Sequence, residues 1–136
     1  MRYRHLLDAS ALLALLLNEQ GADQVEIILD DSEIHSVNLA EVVRKVVLKG
    51  VEPAEAVSLL AGMDLGIIEA LSTEQAYAAG HLLAANQAMG LSLGDAVCLL
   101  VAAGSGARVV TADRSWPKTV WPKDLHSQVP EILLIR

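Results

Sequence analysis

Short apolar runs alternate with longer helix-patterned stretches along the whole chain, and this alternation constrains the fold more than any other feature. Strand-like segments are read at residues 3–7, 33–37, 65–71, 108–111 and 132–135. Between them, helical spacing appears at 11–17, 22–29, 38–49, 53–61, 73–89 and 92–103. Strands joined through helices imply right-handed crossovers, so the expected architecture is α/β, with helices packed on a buried, largely parallel sheet. Residues 1–136 read as one domain, with no internal repeat or linker.

Local signals set the expected boundaries. Ser10 is placed to cap the helix at 11–17, and Asn38 to open the helix that Gly50 ends. Pro53 suits a first helical turn, Gly90 stops the long Ala-rich helix, and Ser92 starts the next. Residues 114–130 hold three of the four prolines and both tryptophans, which predicts a loop.

Composition narrows the core and the chemistry. The chain is 53% hydrophobic but only 3% aromatic, with no Phe, so its core is aliphatic. That mixture fits helices on a parallel sheet. The formal net charge of −7 supplies no global field for nucleic acid. A nucleic-acid enzyme of this charge would need metal ions and local cations, and Arg44, Lys45, Lys49, Arg114, Lys118 and Lys123 are the ones at hand. The single cysteine, Cys98, lies in the apolar run AVCLLVAA and reads as a buried, inert thiol. With one Cys and four dispersed His, no zinc pattern appears. Arg2 and Arg4 before a Leu-rich stretch imitate a leader, but Asp8 interrupts the apolar run, and 11–17 is too short to span a bilayer. A cytoplasmic protein with no membrane segment is expected.

Four carboxylates stand at element boundaries. Asp8 ends the run HLLD and Asp113 ends ARVVTAD, while Glu41 and Asp95 open amphipathic stretches. In a parallel sheet, ligands bind beyond the carboxyl ends of strands, near the switch in strand order. Asp8 and Asp113 sit at such ends. Glu41 and Asp95 also fit capping boxes, Asn38-Leu39-Ala40-Glu41 and Ser92-Leu93-Gly94-Asp95. Capping and metal ligation draw on the same physics, because a helix start holds a carboxylate ionised and a hard cation needs ionised oxygen. Asp8 breaks an apolar strand-to-helix junction, where an unpaired buried charge is expensive. It reads either as a second helix cap or as a functional acid.

The segments LLDASALLALLLNEQGA (6–22), HSVNLAEVVRKVVLKG (35–50), LSLGDAVCLLVAAGSGARVVTADRSW (91–116) and EILLIR give the chain a family likeness. It resembles a PIN domain, and specifically the VapC-like toxin ribonucleases of type II toxin–antitoxin pairs. The resemblance implies a three-layer α/β/α sandwich with a central, mainly parallel sheet. It implies that Asp8, Glu41, Asp95 and Asp113 bind Mg²⁺ or Mn²⁺ and support endonucleolytic cleavage of RNA. Ser10, Asn38 and Thr111 match small polar positions near that site. A homodimer and a cognate antitoxin, whose tail enters the acidic groove, are further implications.

The stretch SWPKTVWPKDLHSQ (115–128) departs from the family pattern. It reads either as a loop packed around its two Trp rings or as an RNA seat. In the second reading Trp116 and Trp121 stack on bases, and Arg114, Lys118 and Lys123 meet phosphates. Other acidic α/β chemistries fit less well. A phosphotransfer receiver needs an Asp after a middle strand and a late Lys, and a haloacid-dehalogenase-like phosphatase needs an acid where Ser10 stands. The serious rival is a catalytically inactive PIN-like module that only binds a protein partner.

Overall fold

Parallel strands covered on both faces must be apolar throughout, and the sheet is built from such runs. The computed structural model describes residues 3–136, apart from the side chain of Ser127; Met1 and Arg2, and with them half of the leader-like Arg2/Arg4 pair, lie outside the described residues. The order is β1 (His5–Leu7), α1 (Ala9–Leu16), α2 (Ala22–Ile28), β2 (Ser32–His35), α3 (Ser36–Leu48), α4 (Pro53–Ala61) and β3 (Gly66–Ile68). It continues with α5 (Thr73–Ala85), α6 (Leu93–Ser105), β4 (Arg108–Thr111) and β5 (Ile132–Leu134).

Among the described residues the five strands form one sheet in the order β3-β2-β1-β4-β5. Every pairing is parallel. Leu7 lies opposite Ile34 and Val110, and these three face a core shared with α1, α2, α3 and α4. Leu6 lies opposite Val109, and both face a second core formed with α5, α6 and the segment after β4. The result is the expected three-layer sandwich. The chain leaves β1 toward β2 on one side and returns to β4 on the other, so the switch in strand order falls between β1 and β4. No helix among the described residues is long and apolar enough to cross a membrane.

Several boundaries differ from expectation for a local reason. Asp8, not Ser10, caps α1, accepting the Ala11 N–H at 2.8 Å, so the helix starts two residues early. The His35 imidazole, not Asn38, caps α3 by accepting the Val37 N–H at 3.1 Å. This cap also ends β2 at His35 rather than at Val37. The Asn38–Glu41 capping box is therefore absent. The Ser92–Asp95 box is present with both of its reciprocal bonds. α5 ends at Ala85, and a 3-10 turn at Gln87–Met89 carries the chain to Gly90. The edge strand β3 covers only 66–68 of the expected 65–71.

Gly21 shows how tightly the C-terminal segment docks. Its φ is +98°, and a Cβ there would lie 2.6 Å from the Ile135 carbonyl oxygen. Gly21→Ala is expected to lower unfolding free energy by about 2 kcal/mol or more, from the left-handed backbone and the clash together. Urea denaturation measures it, and a neutral result would show that β5 shifts freely.

Candidate active site

Asp8 sits at the carboxyl end of β1, beside the strand switch. It is 5% exposed, and its backbone N–H pairs with the Val110 carbonyl at 3.0 Å. Three donors hold the side chain. The Ser10 hydroxyl donates to Oδ1 at 2.7 Å, the Ala11 N–H donates to the same oxygen, and the Thr111 hydroxyl donates to Oδ2. Ser10 Oγ in turn accepts the Ala112 N–H at 2.9 Å, and Thr111 Oγ1 accepts the Asp113 N–H at 3.0 Å. The two hydroxyls therefore lock the start of α1 to the end of β4. Burial still dominates the charge balance, raising the Asp8 pKa to about 6 against those three bonds, with Asp95 adding repulsion.

Glu41 comes from the second turn of α3 and Asp95 from the first turn of α6, where the two helices meet at a close approach. Asn38 Nδ2 donates to the Gly94 carbonyl at 3.1 Å. A Cβ built on Gly94 would fall inside the Glu41 carboxylate, 2.8 Å from its Cδ. Only a glycine lets Glu41 rest against the backbone of the residue before Asp95. The Glu41 pKa is raised, first by partial burial and then by Asp95, while Lys45 pulls it down. Burial pushes the Cys98 thiol well up, and the charges of Asp8, Asp95 and Glu41 add to that. Cys98 is fully buried and stays a neutral thiol. Three acids from three elements thus share one electrostatic neighbourhood.

Asp113 joins them differently. Its backbone N–H reaches Asp8 through Thr111, but its exposed carboxylate turns away, with Oδ1 accepting the Ser115 N–H at 2.9 Å and the Ser115 hydroxyl at 2.6 Å.

Of the two readings of the 115–128 loop, the structure bears out the packed loop and not base stacking by Trp116 and Trp121. Trp116 is fully buried and Trp121 is 7% exposed, both packed with Leu125 into the core beneath α5 and α6. Neither ring offers a free face to a base. Asn86, at the end of α5, pins this loop by accepting the Val120 N–H at 2.7 Å and donating to the Val120 carbonyl at 2.8 Å. Arg114, Lys118 and Lys123 remain exposed. Gly94 and Asn86 were not among the residues that sequence reasoning selected. Gly94 carried a usable signal, since a glycine within a helical pattern implies a packing or functional reason.

Among the described residues no three Asp, Glu, His or Cys side chains stand together as a ready metal-ligand set. The donor chemistry nevertheless fits a hard divalent cation. Asp8, Glu41 and Asp95 are oxygen donors; burial first, and the Asp95 charge after it, raises the first two, and a bound cation would offset both costs. Beside them, the buried Asn38 Oδ1 has no hydrogen-bond partner among the described residues. Ligation would require carboxylate rotation, above all release of Ser115 by Asp113.

Fold and site together define an α/β/α protein with an acidic cluster at the switch point of a parallel sheet. The PIN domain family matches residues 5–121, and the chain belongs to that family. A search of curated proteins found no match. Solved structures share the fold along nearly the whole chain. A DNA-bound VapBC from Salmonella typhimurium superposes with a TM-score of 0.71 at 16% identity, covering 98% of this chain and 99% of that one. A toxin–antitoxin complex from Klebsiella pneumoniae gives 0.67 at 21% identity, covering 97% and 98%. VapBC2 from Rickettsia felis, bound to a DNA fragment from its promoter, gives 0.66 at 16% identity, covering 95% and 98%. At these identities the likeness establishes the fold.

Proposed function

We propose that this chain is a metal-dependent endoribonuclease, acting in the cytoplasm as the toxin of a toxin–antitoxin pair. The reading rests chiefly on one observation: Asp8, Glu41 and Asp95, drawn from three elements, share one field at the strand switch. Membership of the PIN family and the likeness to toxin–antitoxin structures support it. Asp8, Glu41, Asp95 and Asp113 are the proposed ligands for Mg²⁺ or Mn²⁺. When bound, such an ion supplies Lewis acidity that activates water and offsets charge on the scissile phosphate.

The chain's own residues do the positioning. Ser10 and Thr111 fix both oxygens of Asp8, so its remaining lone pairs face a set direction. Asn38 ties the first turn of α3 to that of α6 and sets the spacing of Glu41 from Asp95. Arg114, Lys118 and Lys123, exposed on the segment after β4, are proposed phosphate contacts. A homodimer and a cognate antitoxin complete the proposed assembly.

Purified protein incubated with cellular RNA and Mg²⁺ or Mn²⁺ is expected to cut it, with loss of cleavage in Asp8→Asn and Asp95→Asn. Equal cleavage by the wild type and both variants would sink the assignment. An inert wild type that still binds a partner protein would favour the inactive binding module.

A further inference from the structure

An open cleft of about 380 Å³ runs alongside the acidic site, lined in part by Ser10, Lys45, Lys49, Leu48, Glu19 and Arg136. Two of its residues join it directly to the acids. Ser10 donates to Asp8 at 2.7 Å, and Lys45 is close enough to Glu41 to lower its pKa. Glu41 and Lys45 on α3 and Lys49 at its C-cap follow at four-residue intervals, which places them along one face at steps of about 6 Å. The acid nearest the proposed chemistry is therefore followed by two cations leading away from it. Both lysines are exposed. Arg136 is partly neutralised by Glu19 at 3.7 Å, so Lys45 and Lys49 carry the net positive charge. Leu48 lies beside them, 70% exposed, and offers apolar surface.

In a chain of net charge −7, a cationic ladder that begins at a carboxylate cluster selects a particular ligand. We infer that this cleft is a phosphate track: it binds the backbone of single-stranded RNA one and two nucleotides away from the scissile bond, through Lys45 and then Lys49, with ribose or base against Leu48. The inference rests on the ribonuclease reading and places this stretch of the substrate on the α1–α3 side, separate from any contact made by Arg114, Lys118 or Lys123. The 115–128 loop lies on the opposite face of the sheet.

The test uses a single-stranded phosphorothioate RNA oligonucleotide, which keeps the backbone charge and slows attack by water at phosphorus, titrated into the whole protein with Mg²⁺ at several salt concentrations. Lys45→Ala/Lys49→Ala is expected to weaken binding about tenfold at low salt. It should also flatten the slope of log affinity against log salt by about 1.4, since each single-strand phosphate contact contributes about 0.7. Lys49→Ala alone stands away from Glu41, and should raise KM for a cleavable RNA while kcat holds. Wild-type binding with an unchanged affinity and slope in the double variant overturns the track and leaves the nuclease assignment standing. A wild type that neither binds nor cuts RNA overturns both. If polyglutamate binding depends on the two lysines and RNA binding does not, the cleft takes an acidic polypeptide and the track is wrong.

Discussion

Gly94→Ala is expected to leave the protein folded and to reduce RNA cleavage by about 100-fold. The backbone at Gly94 is not among the positive-φ positions, so alanine is allowed there. Alanine also favours a helix over glycine by roughly 0.5–1 kcal/mol. The added methyl group, however, occupies the present position of the Glu41 carboxylate. That carboxylate ends a flexible side chain and can retreat at little cost in stability. It then no longer sits beside Asp95, and a misplacement of about 1 Å in a catalytic constellation can cost about 100-fold. Thermal unfolding, cleavage rate and Mn²⁺ titration together decide the matter. Adding Gly94→Ala to Glu41→Gln should cost almost nothing further, because neighbouring sites that act as one are not additive. Full activity in the single variant, or a loss that tracks unfolding, would refute the positioning role.

Asp8→Asn is expected to stabilise the metal-free protein at neutral pH while abolishing cleavage. Burial raises the folded-state pKa of Asp8 from 3.8 to about 6. Between those values the folded chain binds a proton that the unfolded chain releases, so stability falls as pH rises through this window. Above about pH 6 the full penalty applies, about 3 kcal/mol for a shift of this size, and below about pH 4 it vanishes. Asparagine removes the charge and still accepts the Ala11 N–H as a good helix cap. Part of the gain is offset, because the Thr111 hydroxyl loses its carboxylate acceptor. A net gain of about 1–3 kcal/mol is expected at pH 7 in EDTA, disappearing near pH 4. Mg²⁺ or Mn²⁺ should reverse the order by stabilising the wild type selectively. Parallel stability curves from pH 4 to 7 would mean that Asp8 carries no burial penalty.

Much of this organisation was legible because it depends on long patterns. The alternation of apolar runs and helical stretches survives small errors in any one element, and it led correctly to a parallel sheet, while the resemblance to PIN domains came from the motifs around Asp8, Glu41, Asp95 and Asp113. Helix starts were less legible. Near α1 both Asp8 and Ser10 are able to cap, and near α3 His35 competes with Asn38. The winner depends on the direction in which the preceding strand delivers the chain. The Trp-rich loop allowed two readings for a compositional reason. Prolines and lysines around two indoles resemble an RNA platform, but a chain without phenylalanine also needs bulk in its core, and Trp116 and Trp121 supply it. The Gly94–Glu41 contact joins residues more than fifty positions apart, and no local pattern encodes it.

The pairing of β1 with β4 also sets the earliest point in synthesis at which the acidic site can be completed. Asp8 leaves the ribosome early, but the hydroxyl that fixes its second oxygen belongs to Thr111, 103 residues later. The central strand must wait for a neighbour that is translated after both faces' helices. Contacts of such sequence separation form slowly, because loop closure is costly before any pairing offsets it. Until β4 has been made and paired, the growing chain therefore carries Asp8 without the hydroxyl that fixes its second oxygen.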